Sequence, residues 1–349
     1  MKNLIMRKSM TLAIVASLVA GCFVGCGNAS PSSDESKDGI SIVTTIFPEY
    51  DWVRQITAGN DKVDITMLLD NGVDLHSYQP TADDIMKIAT CDVFIYVGGE
   101  SDEWVEDALK EAINPDMQVI NLLDTLGNSA KEEEIVEGME AVEEHDHSEE
   151  VSTFEKMSEE NGDEKHEEEE TEYDEHVWLS LKNSELLVDE IANAISTVDE
   201  ANASLYEENA AAYVKDLDAL DKQYADAVAN ANVNTVLFGD RFPFRYMVDD
   251  YNLDYYAAFV GCSAETEASF ETITFLAGKV DELGLNTVLT IENSDEKIAK
   301  TIIENTKAKD AKILSMNSMQ STTSDDVTAG ATYLSIMEEN LKVLTDALK

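Results

Sequence analysis

The chain has 349 residues, 44% of them hydrophobic, and 24 Lys+Arg against 72 Asp+Glu give a formal charge of −48. A surface this acidic is repelled by phosphate backbones and anionic headgroups, which excludes nucleic-acid binding and polybasic membrane attachment. The apolar fraction excludes wholesale disorder, and at roughly 150 residues per domain the length suggests two domains.

Lys2, Arg7 and Lys8 precede an apolar run from Thr11 to Ala20, too short for a stable membrane span, and small residues then lead to Cys22. This resembles a bacterial lipoprotein signal, with residues 1–21 removed and Cys22 lipidated. Cys26 is the alternative, weakened by Phe23 three positions before it. Residues 22–39, rich in Gly, Ser and Asp, read as a solvated tether. No later stretch approaches 18 apolar residues, so the expected mature chain is extracytoplasmic and held to the bacterial cell membrane by its lipid anchor alone.

Residues 40–200 read as a first lobe. Ile42 to Phe47 is a β-branched strand, Tyr50 to Ala58 a helix and Val63 to Leu69 a second strand. Thr81 caps a helix with acidic residues in its first turn, and Asp92 to Val97 and Val119 to Leu122 are further strands. Residues 131–175 break the pattern with 22 acidic residues and three Lys, a local charge of −19. So few apolar residues cannot offset the entropy of ordering, which predicts a disordered acidic loop inserted in the lobe. Residues 201–230 read as one long helix, with Leu205, Ala210, Tyr213, Leu217, Leu220, Tyr224 and Val228 at helical spacing. Residues 231–349 then repeat the alternation. Strands are expected at Thr235–Phe238, Asp254–Val260, Thr287–Ile291 and Lys312–Leu314. Helices are expected at Phe244–Tyr251, Phe270–Glu282, Glu296–Thr306 and Thr328–Leu348. Strands alternating with helices predict parallel sheets. Phe47-Pro48 and Phe242-Pro243 form a faint internal echo, each placed between a strand and a helix.

The five His residues are 76, 145, 147, 166 and 176. His76 and His176 sit in loops at element ends, where open α/β sheets bind ligands. His145, His147 and His166 fall inside the acidic loop, where imidazoles among carboxylates suit weak, transient cation scavenging. Cys91 and Cys262 read as small buried hydrophobes, although an oxidising exterior permits a bridge.

Asp74-x-His76-x-Tyr78-x-Pro80, Cys91-Asp92 to Gly99-Glu100 with Trp104, His176-Val-Trp178-Leu and Asn202-Ala203-x-x-Tyr206-x-x-Asn209 together resemble one family over about residues 40–349. It is the zinc- and manganese-binding lipoproteins of ABC importers, the cluster A-I substrate-binding proteins. The resemblance implies two parallel-sheet α/β lobes joined by a single long rigid helix, with the metal in the interlobe cleft. It implies His76 and His176 as ligands, Asp240 where the family carries its third ligand, and Asn317 at the fourth, with Glu292 as the alternative carboxylate. On its own position Asp240 also reads as a helix N-cap. Two imidazoles and a carboxylate suit Zn2+, with Mn2+ as the alternative, and the His-bearing loop favours zinc.

The implied function is capture of the ion and delivery to a membrane permease and its ATPase by a monomer that is not an enzyme. A surface adhesin or metal buffer and a zinc-dependent hydrolase are the rival classes. The hydrolase lacks a His-Glu-x-x-His pattern.

Overall fold

Each half of the chain sends β-branched and aromatic segments into a parallel sheet and returns through a helix. The computed structural model describes residues 39–140, 172–263 and 267–349. The signal segment, Cys22, Cys26, the tether through Asp38, and His145, His147 and His166 lie outside these residues.

The N lobe runs β1 (Ile40–Thr44), α1 (Phe47–Ile56), β2 (Val63–Met67), α2 (Ala82–Thr90), β3 (Val93–Tyr96), α3 (Trp104–Lys110), β4 (Gln118–Asn121) and α4 (Leu122–Leu126). Its strands are all parallel in the order β2-β1-β3-β4. Thr81 caps α2 as its sequence predicts, accepting from Asp84 N. Phe47 opens α1 instead of ending β1. Pro48 suits a first turn, and the Glu49 carboxylate reaches back to the amides of Thr45 at 2.8 Å and Ile46 at 3.3 Å.

A hairpin of α5 (Leu181–Val198) and α6 (Ala203–Ala229) follows. No helix is expected at α5 from the sequence, although Ser180 caps it and Leu187, Val188, Ile191 and Ile195 bury one face. The Asn202 to Asn209 motif docks the start of α6. Tyr206 donates to Asp199 at 2.6 Å, and Asn209 donates to the carbonyls of Ile56 and Ala58, each at 2.9 Å. Near the other end, the buried Tyr224 donates to the Met337 carbonyl at 2.6 Å. At 1.5 Å per residue, about 40 Å of helix therefore fastens to both lobes.

The C lobe runs β5 (Thr235–Phe242), α7 (Arg245–Tyr251), β6 (Asp254–Val260), α8 (Phe270–Leu283), β7 (Thr287–Ile291), α9 (Lys297–Asn305), β8 (Lys312–Met316), α10 (Ser324–Thr328) and α11 (Tyr333–Ala347). The order β6-β5-β7-β8, again parallel, repeats the N-lobe topology. Two expectations change here. β5 continues to Phe242, so Asp240 lies in extended chain and does not cap α7, whose N-cap position is Phe244. The final helix is broken, and its longer part begins at a capping box of Thr332 and Ser335.

The helix is not the only tie between the lobes. One hydrophobic core runs from Ile42 and Trp52 through α5 and α6 to Phe238, Tyr333 and Leu344. A second, smaller core lies under α8 and α9. Trp178 donates to the Ser318 carbonyl at 2.8 Å, and Tyr333 N donates to Asp51 at 2.9 Å.

Residues 131–140 and 172–175, expected within the disordered loop, instead belong to the folded body. Glu132 and Tyr173 form an antiparallel bridge, and Asp174 N donates to the Lys131 carbonyl at 2.9 Å. The C lobe holds this strap. Arg245 pairs with Glu134 at 3.1 Å, Lys131 with Asp249 at 2.6 Å, and Tyr246 bonds both Lys131 N and the Asp174 carbonyl.

Candidate metal centre

The C-terminal ends of both sheets face a shared cleft. Its cavity of about 510 Å³ is lined by Asp74, His76, Asp240, Arg241 and Glu292, among others.

His76 sits on a single helical turn, Leu75–Ser77, after β2. Asp74 caps that turn by accepting from His76 N at 3.1 Å. The second Asp74 oxygen accepts from Arg241 at 2.7 Å, so one carboxylate sets the loop and also crosses the cleft. Burial works to raise the Asp74 carboxyl, but the Arg241 guanidinium outweighs it and holds the group below its usual range. His176 follows the strap and is fully buried. Asp174 accepts from both His176 N and Nδ1, each at 2.9 Å, and Trp178 packs on the ring at 5.3 Å between centroids.

Each imidazole thus has its Nδ1 engaged by oxygen. For His76 the hydrogen-bond partner is Ser101 Oγ at 2.8 Å, and Glu175 Oε2 lies at ion-pair distance, 3.3 Å. The opposite Asp174 carboxylate selects the Nδ1–H tautomer of His176, as a carboxylate does behind a ligating histidine. Burial raises the Glu175 carboxyl; the hydrogen bond and charge of His76, with bonds from Ser101, outweigh that and leave it lowered.

The consequence is that both Nε2 atoms point at one spot, 3.3 Å apart. With its amide oxygen and nitrogen exchanged, the orientation its neighbours favour, Gln320 donates to Asp74 at 2.9 Å and presents its carbonyl oxygen to His176 Nε2. Converging lone pairs in a buried site call for a proton or a cation between them. Two nitrogens about 2.0–2.1 Å from a tetrahedral zinc sit about 3.4 Å apart, which this spacing matches.

The other expected ligands fare differently. Asp240 lines the cavity. One oxygen accepts from Arg241 N at 2.9 Å, and Oδ2 is buried with no hydrogen-bond partner among the described residues. Glu292 also lines the cavity, but Ser318 N and Oγ occupy both its oxygens at 2.7 Å. Asn317 does not line it. Its side-chain oxygen accepts from Met319 N at 2.7 Å, and its carbonyl accepts from Asn340 at 2.8 Å.

Among the described residues, one set of three His, Cys, Asp or Glu side chains brings its ligand atoms within 4.8 Å of one another: His76, His176 and Cys262. The sequence reading takes Cys262 as a packing residue. No disulfide joins it to Cys91. It follows β6 and Gly261, and a Cβ on Gly261 would lie 2.9 Å from His176 Cε1, so the absent side chain is what lets this loop reach the imidazole. Burial first, then the carboxylates of Asp174, Glu133 and Glu175, push the Cys262 thiol well up.

With this geometry in hand, known proteins provide the comparison. Residues 42–347 match the family described as ZnuA, zinc-uptake complex component A periplasmic. The chain belongs to that family. It is 30% identical over 332 residues to the zinc-binding lipoprotein AdcA of Streptococcus pneumoniae, covering 95% of this chain and 59% of AdcA. It thus spans about three-fifths of that relative's length. The high-affinity zinc uptake system protein ZnuA of Bacillus subtilis is 28% identical, with 95% of this chain and 96% of that one covered. Among solved structures, the Zn(II)-bound ZnuA-like domain of S. pneumoniae AdcA superposes with a TM-score of 0.65 at 25% identity, covering 89% of this chain and 99% of that domain. The laminin-binding protein Lmb of Streptococcus agalactiae shares the fold, at TM-score 0.65 and 21% identity over 89% of this chain and all of that one. Among the described residues no helix is long and apolar enough to cross a membrane.

Proposed function

We propose that this chain is the extracytoplasmic zinc-capturing component of an ABC importer. It binds one ion in the interlobe cleft and delivers it to a membrane permease driven by an ATPase. The observation that carries this reading is the facing pair of His76 and His176 Nε2 atoms at 3.3 Å, each with its Nδ1 already engaged by oxygen. The named zinc proteins AdcA and ZnuA support it.

Zinc is the ion of this proposal, with manganese its competitor, because two imidazoles in a tight pair favour a small tetrahedral ion over a looser shell. Asp240, on the facing wall with one buried unpartnered oxygen, is the carboxylate placed to approach the ion; Asn317 and Glu292 are already engaged. The core shared between the lobes restricts hinge motion, so capture proceeds by local adjustment of the loops around residues 74–77 and 261–263 and of the C-terminal end of β5. The chain acts as a monomer bound to the membrane through Cys22, and the acidic segment carrying His145, His147 and His166 collects cations.

The test is metal analysis of the full chain purified without added metal, followed by calorimetry with zinc and competition by manganese. One tight zinc site per chain, lost in both His76→Ala and His176→Ala, is expected. Unchanged affinity in both variants would falsify the site.

A further inference from the structure

We infer that the Cys262 thiolate is a direct ligand of the captured ion, completing a His76–His176–Cys262 set from the C-lobe side. The inference rests on the zinc-capture reading above and assigns its third donor.

Three independent features converge on it. The first is distance: the Cys262 Sγ and one nitrogen of each imidazole all lie within 4.8 Å of one another. In a tetrahedral zinc site with Zn–S about 2.3 Å and Zn–N about 2.0–2.1 Å, nitrogen and sulfur sit about 3.6 Å apart, so a shift of roughly 1 Å closes the site.

The second is how the loop is built. Gly261 packs against the His176 ring where any Cβ would collide, and Glu133 Oε1 accepts from Cys262 N at 3.2 Å. Glu133 belongs to the strap, whose other strand carries Asp174, the residue that orients His176. One folded unit therefore positions both the second imidazole and the cysteine.

The third is elimination among C-lobe donors. Ser318 takes both Glu292 oxygens, Asn317 bonds Met319 N and Asn340, and Asp240 falls outside the set of mutually close ligand atoms. Asp240 remains on the wall of the adjoining cavity, where its unpartnered oxygen suits an approaching cation.

The chemistry balances simply. Zinc displaces the thiol proton to solvent and the Zn–S bond forms, with no change of oxidation state. A thiolate beside two imidazoles is a softer donor set than carboxylate beside two imidazoles, and it selects zinc over manganese.

Cobalt(II) is the probe, because a thiolate ligand gives it a near-ultraviolet sulfur-to-metal charge-transfer band. The full chain loaded with cobalt should show that band, Cys262→Ser should lose it, and Asp240→Asn should keep it. Zinc affinity in Cys262→Ala should fall at least about a hundredfold. Zinc should also block alkylation of the Cys262 peptide in the wild-type chain, a readout that needs no variant to fold. If the wild type binds cobalt and zinc tightly without the band, and zinc leaves Cys262 open to alkylation, the inference is overturned while the cleft site stands. If the wild type binds neither metal tightly, the zinc-capture reading itself falls, and this inference with it.

Discussion

The two lobes share a strand order and a Phe-Pro pair at the junction of first strand and first helix, yet they bury different chemistry at the cleft. The N lobe and its strap bury Glu49, Asp51, Asp84, Asp102, Asp174, Glu175 and His176, whereas the buried polar residues of the C lobe are Thr, Ser, Gln and Asn. Ionisable groups are costly to bury, and several here have a visible task. Asp174 and Glu175 orient the imidazoles, and Glu49 bonds the amides at the start of α1. No Asp or Glu of the C lobe is buried as a whole residue among the described residues, although one oxygen of Asp240 is. The lobe offers Asp240 on the cavity wall beside the guanidinium of Arg241 and, close to the imidazoles, the largely buried thiol of Cys262. The same topology thus makes a preorganised nitrogen pair on one side and, in the proposed capture, a lid that adjusts through its loops on the other.

The largest effect is expected from removing a preorganised imidazole. His176→Ala deletes a fully buried imidazole, one of the two proposed ligands, and leaves Asp174 facing a void. Calorimetry should register at least about a thousandfold loss of zinc affinity, about 4 kcal/mol. A loss no larger than that of Asp240→Ala would mean that the N lobe is not the dominant side.

The next effect comes from crowding. Gly261→Ala would place a methyl group 2.9 Å from His176 Cε1 and 3.0 Å from the Phe242 carbonyl. The ring has Trp178 and Asp174 on its other sides, so it cannot step back without losing its orientation. A roughly ten- to hundredfold drop in zinc affinity is expected, similar to losing an orienting contact. Unchanged affinity would place the flexibility in the imidazole, against the comparison drawn here.

How far the sequence foretold this arrangement depends on whether a signal is local. Parallel α/β lobes, the long helix and the Thr81 cap were legible because periodicity and capping act within a few residues. Helix α5 carries equally local signals, a Ser180 cap and an apolar face, but its segment follows directly on the acidic run, where charge dominates the pattern. The strap was hidden for another reason. A charge count treats Lys131 to Glu140 as solvated, and only the folded C lobe supplies Arg245, Tyr246 and Tyr255 to bind it. Cys262 could not be found by spacing. Its partners are 86 and 186 positions away, and the fold alone makes them neighbours.

A pH experiment sharpens the comparison from the side of cost. Burial pushes the Asp102 carboxyl up to about 7, opposed by its bond from Gly98 N. Below that pH the native protein holds a proton that the unfolded chain releases until about pH 3.9, so this group adds stability as pH falls from 7 toward 4 and removes it above 7. Chemical denaturation of the metal-free protein at pH 8 and pH 5.5 should therefore show Asp102→Asn losing roughly 2 kcal/mol of the wild-type gain on acidification. Parallel profiles for the two proteins would mean that this carboxyl is not tuned by burial.

The smallest expected effect uses the same substitution where nothing depends on it. Gly278 lies on the exposed face of α8, remote from the imidazole pair, and a Cβ there meets nothing within 4 Å. Gly278→Ala removes only the backbone freedom that glycine loses on folding, so it should stabilise the protein by about 0.5–1 kcal/mol and leave zinc affinity unchanged. Set beside Gly261→Ala, it separates two roles of glycine in one lobe. At 278 the missing side chain costs stability; at 261 it is the space that lets the C lobe reach the imidazole. A fall in zinc affinity for Gly278→Ala would show that α8 communicates with the cleft, and the C lobe could no longer be described as a lid that adjusts through its loops alone.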